Sequence, residues 1–173
     1  MKKELLCVLF ILSFPLCTAQ NEKREVDSLA IISRIKADRI LQQFETSNAL
    51  KLIFSIENKN YYMVIKEGCN YKEYYIVTDS SGNIKEKRRL ATSKKSKKIL
   101  SKAFELDGYA KNLTTNIPKA SYVRGKPSYF VVKDEEGNRY GEYRLPVFSL
   151  PPPINKKVYS YLVGQLSKET KAP

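Results

Sequence analysis

Tyr74-Tyr75-Ile76-Val77-Thr78-Asp79-Ser80-Ser81-Gly82-Asn83, running on to Arg89-Leu90, is the stretch whose reading decides the fold of this chain. Aromatic and β-branched residues lead into an Asp-x-x-Gly-Asn cluster, and a second short run from Ile84 to Leu90 follows, the pattern of strand, tight turn, strand. It recurs. Tyr129-Phe130-Val131-Val132-Lys133-Asp134-Glu135-Glu136-Gly137-Asn138, ending in Arg144-Leu145, aligns on it without gaps at a constant offset of 55. Each copy precedes a basic amphipathic segment, the first starting near Lys94 and the second near Lys156. The reading is a hairpin-helix unit used twice, with repeat-like units at about residues 61–107 and 120–168. Shared turn chemistry alone also makes such segments resemble one another.

Outward from the first copy, period-two alternation marks Leu50 to Ile56, Tyr61 to Lys66 and Glu73 to Thr78 as strands. Asn58-Lys59-Asn60 and Gly68-Cys69-Asn70 supply the turns. Such short connections predict an antiparallel meander. From Ser93 the period becomes helical, with Ile99, Leu100, Ala103, Phe104 and Leu106 on one face, Ser93 as cap and Gly108 as stop. Further strands are expected at Ala120 to Val123, Ser128 to Lys133 and Arg139 to Leu145. Pro151-Pro152-Pro153 reads as a rigid spacer before a last helix with Val158, Tyr159, Leu162, Val163 and Leu166 on one face, where Gly164 would permit close packing. At the other end, residues 22–44 form a helical pattern with Val26, Leu29, Ala30, Ala37, Ile40, Leu41 and Phe44 on one face. Ile31, Ile32 and Ile35 make a second stripe opposite. Two apolar faces predict a helix held between layers, or else an isoleucine stripe that docks a partner.

The fold class expected from these elements is α+β, an N-terminal helix packed on an antiparallel sheet. A cystatin-like curved sheet around a helix is the alternative architecture.

Lys2 and Lys3 precede an apolar run from Leu5 to Leu16, and Cys17-Thr18-Ala19 places small residues where a signal peptidase needs them. Residues 1–19 are therefore expected to be a signal peptide cleaved after Ala19, leaving one mature α+β domain over 20–173 that is secreted or periplasmic. Cys17 follows Pro15-Leu16, a poor fit to a lipoprotein signal, and no later segment is long and apolar enough to span a membrane. Of the three cysteines, Cys7 and Cys17 would leave with that segment. Cys69 would remain without an intramolecular partner, expected as a half-buried small hydrophobe.

The 173 residues carry a formal net charge of +13 and no histidine. Losing histidine removes the commonest acid-base group at neutral pH, the usual partner of a Ser or Cys nucleophile and the commonest zinc ligand. There is no phosphate loop, dinucleotide fingerprint or calcium loop, so no cofactor and no catalytic or metal-binding residue is expected. The turn residues Asp79, Asp134, Glu135 and Glu136 suit hairpin geometry rather than chemistry. A carboxylate-based enzyme is the least favoured reading.

Two surfaces are candidates for binding. Between Lys85 and Lys102 nine basic residues face Glu86 alone, and Lys87, Arg88, Arg89, Lys94, Lys95, Lys98 and Lys102 are the candidate contacts to a polyanion or an anionic envelope surface. No nucleic-acid motif accompanies them, and a solvated helix face is the ordinary fate of such a run. The other surface comprises Ile31, Ile32 and Ile35 with the strand tyrosines Tyr61, Tyr62, Tyr74 and Tyr75. Alternation sends neighbouring rings to opposite sides of the sheet, so some are expected to face outward to a protein or glycan of the envelope or exterior.

The order strand, Asp79-to-Gly82 turn, strand, helix, then Gly125-Lys126-Pro127 and Leu145-Pro146-Val147-Phe148 resembles the C-terminal domain of TonB-type energy transducers over about half the chain. That resemblance implies a periplasmic module pairing with a peptide edge of an outer-membrane transporter. The chain departs from it in having no Trp-x-Pro-Gly segment, an extra hairpin between Lys126 and Leu145, and a signal peptide in place of an anchor. The reading adopted is a non-enzymatic binding or accessory protein.

Overall fold

A computed structural model describes residues 28–44, 48–117, 121–122 and 125–171. The expected signal peptide, the start of the first helix at Glu22, and Val26 lie outside the described residues.

The α+β expectation holds. Helix α1 (28–42) is followed by the strands β1 (Leu50–Ile56), β2 (Asn60–Glu67), β3 (Asn70–Thr78) and β4 (Ile84–Leu90), then α2 (Lys94–Ser101) and two 3-10 turns, Lys102–Phe104 and Leu106–Gly108. The chain ends with β5 (Ser121–Tyr122), β6 (Pro127–Lys133), β7 (Arg139–Pro146), β8 (Ser149–Leu150) and α3 (Lys156–Thr170). Six strands form one antiparallel sheet in the order β4-β3-β2-β1-β6-β7, while β5 and β8 pair separately. The meander of the first four strands is thus extended on its β1 side by the second hairpin, in which Leu52 sits opposite Val132 and Phe54 opposite Phe130.

Each face of the sheet is covered. On one side, Leu52, Phe54, Tyr62, Val64, Tyr75, Phe130, Val132 and Tyr143 meet Leu100, Ala103 and Phe104 of the α2 region and Val158, Leu162 and Leu166 of α3. On the other, Ile53, Tyr61, Met63, Ile65, Ile76, Tyr129 and Val131 meet Ala37, Ile40, Leu41 and Phe44 around α1. Layers on both sides explain why consecutive residues are apolar or aromatic from Leu52 to Phe54 in β1 and from Tyr61 to Ile65 in β2. A strand with two buried faces has no polar side to alternate with. The cystatin-like alternative, a sheet around one helix, does not form, because α2 and α3 occupy the second face.

The two hairpin turns have the same hydrogen bonds. Gly82 N–H donates to the Asp79 carbonyl and Gly137 N–H to the Asp134 carbonyl, both at 3.1 Å, and the two glycines have φ of +86° and +88°. A side chain there would be strained, so glycine is required. The registers differ: the irregularity lies at Val77/Thr78 in the first hairpin and at Phe130/Val132 in the second. Likeness is thus strongest in the turns themselves.

Several expectations are corrected. α2 stops at Ser101 and tightens into 3-10 turns, with the Tyr109 hydroxyl donating to the Ala103 carbonyl at 3.1 Å while Ala103 and Phe104 turn into the core. Ser93 does cap α2, its hydroxyl accepting from Ser96 N–H at 3.0 Å. Gly164 is not a packing contact, since a Cβ there would meet nothing within 4 Å. Cys69 is exposed rather than half-buried, as are its neighbours Gly68 and Asn70 in the β2–β3 turn. Among the described residues no helix is long and apolar enough to cross a membrane.

Candidate functional site

The outer face of α1 is the first candidate, and its geometry follows from how firmly the inner face is held. Ala30, Ser33, Ala37, Ile40 and Leu41 are buried against the sheet. Arg34 grips the buried carboxylate of Glu142 with two bonds, Nε to Oε1 at 2.9 Å and Nη2 to Oε2 at 2.6 Å, a fork geometry that fixes orientation as well as charge. Asp38 pairs with Lys133 at 2.7 Å and with Arg139, which also reaches Glu142 at 3.4 Å. Asn58 donates to the Ser33 hydroxyl at 2.8 Å. The Glu142 hydrogen bond, acting against desolvation, raises the Arg34 guanidinium pKa, while burial and the same carboxylate push the Tyr129 phenol well above its usual range.

So anchored, α1 turns its other side to solvent. Ile31, Ile32 and Ile35 are 51%, 45% and 52% exposed, with Leu29 beside them. The helix is therefore not held between layers; the sheet covers one stripe and nothing described covers the other. The tyrosines expected to share this surface do not. Tyr61, Tyr62 and Tyr75 are buried and Tyr74 is half-buried against Phe44. Alternation does send Tyr61 and Tyr62 to opposite faces, but both faces lie under helices.

The second candidate is basic. β4 is an edge strand, exposed from Lys85 to Arg89, and α2 follows it directly. The structure separates the residues that the sequence grouped. Lys87 lies over the Phe44 ring at 4.5 Å on the α1 side. Arg88 stacks over Tyr75 and pairs with Glu169 at 3.3 Å and more loosely with Glu86, so its charge is largely committed. Arg89 lines an open groove with Lys97, Tyr71 and the Lys72–Glu67 ion pair. Lys94, Lys95, Lys98 and Lys102 make no ion pair among the described residues.

Glu73 accepts hydrogen bonds from the Tyr62 hydroxyl and, at 3.0 Å, from Tyr161 on α3, with no cation opposite. Burial and this carboxylate push the Tyr62 phenol far above its usual range. It is an interior polar tie between sheet and helix. Asp79 and Asp134 act as turn residues, as expected, each accepting from the backbone and side chain of the asparagine four residues on. Among the described residues no group of three or more His, Cys, Asp or Glu side chains is placed to hold a metal ion.

One surface escaped the sequence reading. Phe148 and Leu150 are exposed beside α3, in a segment read from sequence only through the TonB-type resemblance and the proline spacer that follows it. The available signal was Val147-Phe148-Ser149-Leu150 between Pro146 and Pro151, an apolar run too short between its prolines for a long strand or a helix. No family model, curated protein or solved structure matches the chain.

Proposed function

We propose that this chain is a non-enzymatic binding protein of the cell envelope or exterior that engages a protein partner through the outer face of α1. One observation carries the reading: three isoleucines, each about half exposed, share one face of a helix whose other face is fixed by core packing and by the Arg34–Glu142 pair. Apolar side chains grouped in this way mark interaction surfaces more often than ordinary monomer surface. The absence of histidine, and the commitment of Glu73 and Glu142 to tyrosine and arginine partners, support a role without catalysis. The full chain with Ile31→Ser, Ile32→Ser and Ile35→Ser should keep its melting temperature and lose the partner crosslinked in envelope fractions by the parent chain. Equal recovery by parent and variant would remove the α1 face from consideration.

A second reading, polyanion or anionic-glycan binding, is favoured by the unpaired lysines of α2 beside Arg89. Replacing Lys94, Lys95, Lys98 and Lys102 with glutamine should weaken retention on heparin. It should also flatten the dependence of log K on log salt, by up to about one unit for each lysine that contacts an anionic site. Parent protein that fails to bind heparin or anionic vesicles at physiological salt would end this reading.

A further inference from the structure

An apolar groove runs along the outer side of α3. One wall is Phe148, Leu150 and Pro152, and the other is the helix face formed by Tyr159, Val163 and Gly164, the whole enclosing about 490 Å³. That volume lies within the range of small-molecule sites. On α3, Tyr159 and Val163 stand one turn apart on the groove side, next to the stripe of Val158, Leu162 and Leu166, and Tyr159 is itself largely buried against the same core. Gly164 leaves the floor open, since a Cβ there would have nothing within 4 Å.

Two features mark the groove as built rather than left over. Phe148 has φ of +67°, a conformation that bulky residues rarely adopt, and is held there by its N–H donating to the Tyr159 hydroxyl at 2.8 Å. The cost of that backbone presents the ring to solvent, where Phe148 is 53% and Leu150 50% exposed. The polar inventory is equally pointed. Among the described residues, Lys156 at the start of α3 has no ion pair and no carboxylate lines the groove.

This chemistry selects an occupant. A peptide laid in the groove would bring an amide at every residue, whereas the polar side chains of the lining are those of Lys156, Tyr159 and Ser160, with the Tyr159 hydroxyl already accepting from the Phe148 N–H. A hydrocarbon chain has no polar groups to satisfy, and an anionic end group answers the single cation. We propose that the groove binds a medium-chain fatty acid, with the alkyl chain between Leu150 and Val163 and the carboxylate at Lys156. This site is separate from the α1 face and from the basic edge.

The test is titration of the full chain with octanoate, decanoate and laurate below their micellar concentrations. Dodecyltrimethylammonium serves as a cationic match, and binding is read by calorimetry and by the amide resonances of Val163 and Gly164. Affinity should rise by about fourfold per added methylene until the groove is filled. Gly164→Leu places a side chain in the groove without touching the core and replaces glycine within a helix. It should therefore raise the melting temperature slightly while reducing laurate affinity at least tenfold. Lys156→Gln should weaken laurate and abolish its preference over the cationic amphiphile. Equal binding of laurate and dodecyltrimethylammonium by the parent, unchanged laurate binding in Gly164→Leu, or no shift of α3 resonances would each overturn the proposal. So would concentration-dependent dimerisation removed by Gly164→Leu, which would assign the groove to a second copy.

Discussion

Glu142 and Glu73 show how differently two buried carboxylates are stabilised in one sheet. Glu142 faces α1 and is neutralised by Arg34 and Arg139, whereas Glu73 faces α3 and has only the hydroxyls of Tyr62 and Tyr161. At the turns the carboxylates are in water and act through geometry. Backbone and side-chain hydrogen bonds from Asn83 hold Asp79 below its ordinary pKa. For Asp134 the loop's desolvation acts upward, but hydrogen bonds from Asn138, Tyr140 and Glu136 together outweigh it and the pKa is lowered. Both groups are thus depressed in the folded state, so their contribution to stability is present above about pH 4 and is lost as pH falls through the folded-state values. Carboxyl NMR titration should find both among the most acidic aspartates, and Asp79→Asn should remove one of these low transitions. An Asp79 midpoint at the unperturbed value would show that the turn bonds are not made in solution.

At the scale of the element, α1 and α2 depart from their sequence patterns for different reasons. α1 has two apolar stripes, and only the one carrying Ile40 is used by the core. Ile40→Ala should cost about 2–4 kcal/mol through the cavity it leaves, while Ile35→Ser on the outer face should shift stability by about 0.5 kcal/mol or less. Urea denaturation of the two variants checks this, and comparable losses would place the outer stripe in the core. In α2 the apolar spacing runs on through Phe104, but Tyr109 folds back to bond the Ala103 carbonyl and the chain tightens into 3-10 turns. Helical periodicity reports which residues turn inward. It does not report where a distant hydroxyl intercepts the backbone.

At the scale of the molecule, the antiparallel sheet has helices on both faces and two differently treated edges. The β7 edge is occupied by the preceding segment, with Thr114 N–H donating to the Glu142 backbone carbonyl and Arg144 N–H to the Thr114 carbonyl at 2.8 and 2.9 Å. The β4 edge carries Lys85, Lys87, Arg88 and Arg89, charges that discourage pairing with another β4. Full coverage of the faces also governs the tyrosines. Burial raises the phenol pKa of Tyr61, Tyr62, Tyr129, Tyr143, Tyr159 and Tyr161, and lifts Tyr109 to about 12. Groups whose folded pKa is raised contribute stability that is complete below about pH 10 and lost above it. Spectroscopic titration should therefore show these tyrosines ionising above about pH 10, together with alkaline unfolding. A single transition near pH 10 in the folded protein would contradict the burial of both sheet faces.

The sequence by itself determined the α+β class, the first four strands, the two Asp-x-x-Gly-Asn turns and the cap at Ser93. These depend on periodicity and on local backbone demands, which a few neighbouring residues specify. It also marked Ile31, Ile32 and Ile35 as a stripe apart from the core face of α1. Only the tertiary structure decided which apolar surfaces stay open. Tyr61 and Tyr62 look like surface residues until helices arrive on both sides, and Arg88 looks free until α3 brings Glu169 to it. The groove at Phe148 was hidden for the same reason. Its walls come from β8 and from a helix that begins beyond the proline run, and only chain packing sets the width between them.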